Sequence, residues 1–233
     1  MSLYQAYLFD LDGTLVDSAP DLHATLNVIL KEEGCAPVTL EAVRAFIGEG
    51  ARRLLERSLE AQGERTDPAR LDRLLKRYLA YYGSHIADHS QVYPGVRETL
   101  AALQAAGAGL AVVTNKFEHL AHQVLEALEL SPFFPVVLGG DSLPERKPSA
   151  APLLEACARL AAAPDATLMV GDSRTDIAAA RAAKISVLCV PYGYNHGESI
   201  EAAGADGIIP DLSALGRFQQ VGVGPPGQLE IDR

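Results

Sequence analysis

Residues 7–18 read YLFDLDGTLVDS, an apolar run that ends on two aspartates separated by one leucine. Two carboxylates so close together repel each other, and each is costly to desolvate unless a positive charge lies beside it. In a strand, residues i and i+2 point to the same side, so Asp10 and Asp12 would face one site while Leu11 faces the core. The stretch therefore predicts either a solvated turn or a bound cation.

The bulk composition is that of an ordinary globular chain. Of the 233 residues, 48% are hydrophobic and 21% are charged, which suits one large domain or a domain with a smaller partner. The formal net charge of −10 argues against nucleic acid as a partner, since a polyanion needs a basic face. We find neither an apolar run near the ~20 residues that span a bilayer nor a signal-peptide pattern. We therefore expect a cytoplasmic protein with no membrane partner.

Short apolar runs recur along the chain, and each ends in a polar or glycine-containing tip. They lie at residues 6–10, 109–115, 134–141, 166–173 and 186–193, with a weaker run at 207–211. Runs of this length are typical of strands that are buried on both faces. Because they alternate with helical patterns from residue 94 onward, we predict an α/β fold with an open parallel sheet and right-handed crossovers.

The segment after the first strand breaks this alternation. Every periodic pattern from about residue 18 to 90 is helical, beginning at an N-cap-like Ser18 and first stopping at Gly34. A helical domain inserted after the first strand is the economical interpretation, and the polar stretch 88–95 would be its return point. The predicted organisation is a Rossmann-like α/β core at 1–16 and 91–220, an all-helical insertion at 17–90, and a loose C-terminal tail at 221–233.

A second acidic pair follows another predicted strand. The sequence GDSRTD supplies Asp172 and Asp176, and the carboxyl ends of strands are where open α/β sheets bind ligands. Two carboxylate pairs, with backbone carbonyls and water, suit a hard cation with octahedral oxygen ligands, and Mg²⁺ is the best match. An EF-hand calcium loop is excluded because Gly13 comes too early in the motif and no glutamate closes it.

These motifs together carry a family resemblance. FDLDGTLVDS resembles the first motif of the haloacid dehalogenase superfamily, in its phosphatase form. The family's order continues with Thr114 in VVTN, where the next strand ends, Lys147 in RKPSAAP, and the acidic motif GDSRTD. The helical insertion at 17–90 resembles the C1-type cap of this superfamily and is called the cap below. The resemblance implies Mg²⁺-dependent hydrolysis of a small phosphate monoester through an aspartyl-phosphate.

The resemblance also implies roles for the acidic residues. Asp10 would be the nucleophile, and Asp12 would protonate the leaving alcohol and then deprotonate the attacking water. The metal would be held by Asp10, by the backbone carbonyl of Asp12 and by Asp172. The acid at position 12 indicates phosphoryl chemistry, because the dehalogenating branch of the superfamily lacks it.

Other positions would support the phosphoryl group. Thr114, with Asn115, would hydrogen-bond the transferring group, and Lys147 would neutralise its charge. Asp176 is expected to bind the metal through water or to orient Lys147.

The glycines and one arginine complete the predicted site. Gly13 would permit the turn after the first strand, and Gly171 would permit a close approach of the backbone. The loop IGEG at 47–50 could reach over the site and present Arg53 or backbone amides to the substrate.

Within the superfamily, the resemblance is closest to the phosphoglycolate phosphatase family. It rests on the cap, IGEGARRLLERSL, GDSRTDI and the segment at 191–215. A helical lid favours a small phosphorylated metabolite as partner, since it excludes macromolecules. The alternatives are a phosphatase for a sugar phosphate or N-acetylmuramic acid 6-phosphate, a β-phosphoglucomutase-like phosphomutase, and a non-catalytic interaction protein. A monomer and a homodimer are both open.

Overall fold

A six-stranded parallel sheet forms the centre of the computed structural model, which describes residues 4–217. Its strands are β1 (Ala6–Phe9), β4 (Gly109–Val113), β5 (Val136–Leu138), β6 (Thr167–Gly171), β7 (Ser186–Cys189) and β8 (Gly207–Ile208). Their spatial order across the sheet is β5-β4-β1-β6-β7-β8. All six predicted apolar runs contain one of these strands, so the predicted parallel sheet is confirmed.

Helices cover both faces of the sheet. Four α-helices follow the strands in the second part of the described chain: α5 (Val96–Ala105), α6 (Glu118–Ala127), α7 (Ala151–Arg159) and α8 (Arg174–Ala183). Alternate residues of each strand belong to opposite apolar clusters; Tyr7 and Phe9 pack on one face and Leu8 on the other. Burial on both faces explains why these strands read as continuous apolar runs rather than alternating ones.

Four helices lie between the first and the second core strand. They are α1 (Ala19–Glu32), α2 (Leu40–Phe46), α3 (Ala51–Glu60) and α4 (Pro68–Ser84). Their apolar sides meet in a core cluster of their own, which includes Leu26, Leu55 and Leu74. The inserted all-helical cap is thus confirmed as an element of the fold. The sequence patterns had not indicated α2 as a separate helix. Its N-terminus is capped by Thr39, whose hydroxyl accepts a hydrogen bond from the Ala42 amide.

The segment that leaves the core and the segment that returns to it lie side by side. The short strands β2 (Val16–Asp17) and β3 (Gln91–Val92) pair antiparallel at this point. The buried carboxylate of Asp21 accepts hydrogen bonds from the His89 and Ser90 amides and from the Ser90 hydroxyl. These contacts fix the start of α1 to the returning chain. The residue limits of core and cap stay a prediction, and the predicted tail at 221–233 lies outside the described residues.

None of the helices in residues 4–217 has both the length and the apolar character that a membrane crossing requires.

Candidate active site

The site lies at the carboxyl edge of the sheet, where three neighbouring strands end. β1 pairs in parallel with β4 on one side and with β6 on the other. Asp10, Thr114 and Asp172 each directly follow one of these strands, and all three side chains are buried. Parallel strands in register deliver their carboxyl ends to one edge, so residues more than 150 positions apart in the sequence meet here.

Lys147 links two of the acidic residues. Its Nζ lies 3.0 Å from Asp10 Oδ1 and 2.7 Å from Asp176 Oδ1, and its side chain is only 1% exposed. Burial opposes the charge of this ammonium group, but Asp10 and Asp176 hold the pKa of Lys147 above its ordinary value. Asp176 also caps helix α8, because its second oxygen accepts from the Ser173 amide and hydroxyl. Asp176 therefore contacts both Lys147 and the start of α8, and its predicted role stays a prediction.

Asp172 is held by groups from two other loops. Its Oδ1 accepts from the Thr14 hydroxyl at 3.0 Å, and its Oδ2 accepts from the Tyr194 amide. Glycines make this approach feasible. A Cβ on Gly13, whose φ is +88°, would lie 2.3 Å from Asp172 Oδ2, and a Cβ on Gly171 would lie 2.4 Å from the Cβ of Asp176. Neither position has room for a larger residue.

The buried acids fit a divalent cation. Carboxylate oxygens of Asp10, Asp172 and Asp176 lie within 4.8 Å of one another, and Lys147 is the ammonium group that contacts two of them. Burial raises the pKa of Asp10 to about 6 against the lowering effect of Lys147, and burial with the charge of Asp176 raises the pKa of Asp172 well above its usual range. Without a further positive charge, the ionised forms are disfavoured. A hard cation with oxygen ligands matches this donor set.

Asp12 contacts a lysine that the sequence analysis missed. Lys116 Nζ lies 2.8 and 2.9 Å from the two carboxylate oxygens of Asp12, and the Ser18 hydroxyl donates to the same group. The Asp12 carboxylate is thus engaged away from the buried acid cluster, and its predicted metal contact through the backbone carbonyl stays a prediction. The signal for Lys116 was its place two residues after Thr114, at the tip of β4.

The predicted phosphate-binding pair lies at the same edge. Thr114 and Asn115 both line a small cavity next to Asp10. The Asn115 side-chain amide donates to the Lys147 carbonyl at 3.0 Å and to the Gly48 carbonyl at 3.1 Å, which joins the core to the cap. Its donor groups are therefore already used in this arrangement.

Arg53 does not line the cavity in this arrangement, and its predicted contact with the substrate stays a prediction. Ala51 and Leu54 of the same helix line the cavity, whereas the Arg53 guanidinium pairs with an acidic cluster. Its partners are Glu49, Glu56 and Glu60. Helical geometry explains the difference, because Arg53 lies on another face of α3 than Ala51 and Leu54. The predicted loop at 47–50 does reach the site: Ile47, Gly48 and Gly50 line the cavity.

The cap closes this cavity with mainly apolar side chains. The cavity measures about 50 Å³ and is open on the core side to Asp10, Asp12 and Thr114. The other lining residues, apart from glycine and alanine, come from both the core and the cap. They are Leu22, Ile47, Leu54, Tyr78, Tyr82, Asn115, Lys116, Phe117 and Leu120. A cavity of this size between core and cap favours a compact ligand.

This arrangement of strand-end acids, a buried lysine and a helical cap defines the class of the protein. Residues 7–190 match the family model of the haloacid dehalogenase-like hydrolases, and the chain belongs to that family.

Individual relatives share most of the length of this chain. A phosphoglycolate phosphatase of Nitrosospira multiformis is 46% identical over 210 residues, which cover 89% of this chain and 92% of the relative. A phosphoglycolate phosphatase of Thiobacillus denitrificans is 40% identical, with 90% and 92% covered. Among solved structures, a predicted phosphoglycolate phosphatase from Haemophilus somnus 129pt superposes with a TM-score of 0.87 at 36% identity, covering 92% of this chain and 97% of the other.

Proposed function

We propose that this chain is a phosphoric monoester hydrolase that converts 2-phosphoglycolate to glycolate and inorganic phosphate. The observation that carries the proposal is the position of Asp10: its carboxylate opens into the cavity, with Lys147 3.0 Å away and Asp172 in the same buried cluster. The names of the relatives support the choice of substrate. The small volume of the cavity supports a compact ester.

In the proposed reaction, Asp10 is the nucleophile. One of its carboxylate oxygens forms a bond to phosphorus while the bond between phosphorus and the glycolate oxygen breaks. Asp12 gives a proton to that leaving oxygen. In the second step Asp12 takes a proton from water, whose oxygen attacks phosphorus, and the Asp10 carboxylate is released with inorganic phosphate.

The surrounding residues offset the negative charge of the phosphoryl group. Lys147 would bring an ammonium charge to the phosphoryl oxygens, and the Thr114 hydroxyl would donate to them. Asp176 holds Lys147 in place through the contact at 2.7 Å. These donors lie in a buried site, where electrostatic interactions are stronger than in water.

The residues that would hold Mg²⁺ are Asp10, Asp172 and, through its carbonyl, Asp12. When bound, Mg²⁺ would supply positive charge that offsets the repulsion between the phosphate dianion and the attacking carboxylate. Support for this assignment comes from the three buried carboxylates within 4.8 Å and the raised pKa of Asp10 and Asp172.

The test is a phosphate-release screen with purified protein and Mg²⁺. The panel contains 2-phosphoglycolate, glucose 6-phosphate, N-acetylmuramic acid 6-phosphate and β-glucose 1-phosphate, and the products are also checked for isomerised sugar phosphates. We expect the highest kcat/KM with 2-phosphoglycolate. A preference for a sugar ester, or an isomerised product without phosphate release, would replace the proposal with one of the other functions. The cytoplasmic location and the choice between monomer and homodimer stay predictions.

A further inference from the structure

One part of the cavity lining holds polar groups that the hydrolytic steps do not use. Among the described residues that line the cavity, Lys116 is the one with a cationic side chain. Beside it, the hydroxyls of Tyr78 and Tyr82 are buried and have no hydrogen-bond partner in the described structure. Buried polar groups are normally partnered, so these two orphaned hydroxyls and the unpartnered Oδ1 of Asn115, all on residues that line one cavity, point to a ligand that partners them.

The contacts of Lys116 place it between Asp12 and Tyr82. Its Nζ lies 4.8 Å above the centre of the Tyr82 ring, and it donates to the two Asp12 carboxylate oxygens at 2.8 and 2.9 Å. Tyr78 and Tyr82 are one turn apart on α4, and their ring centres are 6.1 Å apart. Both side chains are at most 1% exposed. The ammonium group of the core and the two phenols of the cap therefore lie close together in the lining of the cavity.

The two phenols are hydrogen-bond donors at any ordinary pH. Burial raises the pKa of both Tyr78 and Tyr82 well above the usual tyrosine value. A protonated phenol can donate to a carboxylate, and charge-assisted bonds of this kind are stronger than neutral ones. The neighbouring side chains Leu22, Leu54 and Leu120 are apolar, which strengthens such contacts further.

We infer that Lys116, Tyr78 and Tyr82 form a carboxylate-binding subsite that selects phosphorylated small carboxylic acids over uncharged phosphate esters. The inference rests on the proposed function and deepens it. In 2-phosphoglycolate the carboxylate is separated from the leaving oxygen by a single methylene. Because that oxygen must lie within hydrogen-bond reach of Asp12, and Lys116 contacts Asp12 directly, the carboxylate arrives beside the ammonium group.

The geometry also gives the subsite its selectivity. Asp10 and Asp12 make the core side of the cavity negative, so a second anionic group is repelled unless it lies against Lys116. In an ester that carries a hydroxyl in place of the carboxylate, the Lys116 ammonium group would stay paired with Asp12 alone. Such an ester would form no charge-assisted bond with Lys116 or with the phenols. The subsite thus favours esters whose carboxylate is separated from the ester oxygen by one methylene.

The test compares two esters that differ at this one group, 2-phosphoglycolate and 2-hydroxyethyl phosphate. For each protein, kcat/KM is measured with both esters on the same preparation, and their ratio is the readout. The ratio does not depend on the fraction of folded protein. We expect wild type to prefer 2-phosphoglycolate, and K116M to lower this preference by about 30-fold or more, since a hydrogen bond to a charged group contributes a factor of about 10 to 150.

The tyrosines provide independent variants. Y78F and Y82F remove one hydroxyl each without disturbing the Lys116–Asp12 ion pair, and each should lower the ratio by about threefold to tenfold. Matched controls are K76M and Y81F on the same helix, which carry the same changes outside the cavity lining and should leave the ratio unchanged.

Three results would overturn the inference. The first is an equal kcat/KM of wild type for both esters. The second is a fall in kcat/KM of K116M that is the same for both esters. The third is an unchanged ratio of the two kcat/KM values in both Y78F and Y82F. An equal loss would mean that Lys116 acts only on Asp12. None of these results touches the proposed phosphatase activity, which fails separately if wild type releases phosphate from neither ester.

Discussion

The two walls of the active-site cavity are built on different principles. On the core wall the charged groups are paired: Asp10 with Lys147, Asp12 with Lys116, and Asp176 with Lys147. On the cap wall, apolar side chains surround the hydroxyls of Tyr78 and Tyr82, which have no partner among the described residues. The comparison teaches that the two lysines of the core already have carboxylate partners, whereas two hydroxyls of the cap have none among the described residues.

The difference has an energetic cause. Removing one partner of a buried ion pair leaves an uncompensated charge and costs about 3–5 kcal/mol, so the core wall tolerates little change. An unpartnered hydroxyl costs less, about 1–3 kcal/mol, and a fold can carry it where a substrate compensates for it. The following predictions test this contrast, from the largest expected effect to the smallest.

D10N should have the largest effect. An amide is a much poorer nucleophile than a carboxylate, so we expect kcat for 2-phosphoglycolate to fall by at least about 10⁴-fold. Phosphate release measures the activity, and thermal unfolding checks that the fold survives. The matched control is D72N, at an exposed residue of α4 that pairs with Arg52, and it should retain activity. Appreciable turnover by D10N would exclude nucleophilic catalysis by this residue.

Removal of divalent metal should have the next largest effect. Dialysis against a chelator should lower turnover by about 100-fold or more, because the buried acids and the phosphate would then repel each other. Addition of Mg²⁺ should restore it, and circular dichroism before and after should show the same fold. Turnover that does not depend on metal would contradict the role assigned to Asp172.

G171A should destabilise the core wall. The new Cβ would lie 2.4 Å from the Cβ and Cγ of Asp176, so Asp176 must move away from Lys147. We expect a loss of about 1–3 kcal/mol in the free energy of unfolding, measured by urea denaturation, together with lower kcat. Wild-type stability and activity in this variant would mean that the position of Asp176 is not essential.

The same substitution in the cap, G83A, should have a small effect of opposite sign. Gly83 lies in the last turn of α4, and its added Cβ would make ordinary contacts of 3.6 Å with Gln123 and Leu120. Alanine loses less conformational freedom in a helix than glycine, so we expect a gain of up to about 0.5 kcal/mol in urea denaturation. A clear destabilisation would show that the cap is packed as tightly here as the core.

The strands and the acids at their ends were predictable from local patterns, whereas the catalytic roles proposed for these residues came from the family resemblance. A continuous apolar run that ends on Asp, Thr or Gly-Asp is typical of a buried parallel strand with a functional tip, and the runs at 6–10, 109–115 and 166–173 each contain one. Helix α2 was not predicted, because its seven residues are too few to show a clear period. The ribbon of β2 and β3 was missed for the same reason, since each strand has two residues.

Local patterns did not indicate the direction of individual side chains in the site. Arg53 looked suitable because it follows a glycine-containing loop that does reach the cavity, but in this structure it pairs with acidic neighbours, and its contact with the substrate stays a prediction. Lys116 was overlooked because one lysine after a strand carries no periodic signal. Tyr78 and Tyr82 belong to the core cluster of the cap, while their hydroxyls have no partner there.

The sequence by itself determined the parallel sheet, the helical insertion and the acids at the strand ends, because each is predicted by a local pattern of apolar and polar residues. Only the tertiary structure decided that Lys147 lies between Asp10 and Asp176, that Lys116 pairs with Asp12, and that two phenols face the same cavity. The ion pairs join segments of the core that are far apart in the sequence, and the two phenols come from the cap. Electrostatic partners of this kind depend on distance in space, which no local pattern encodes.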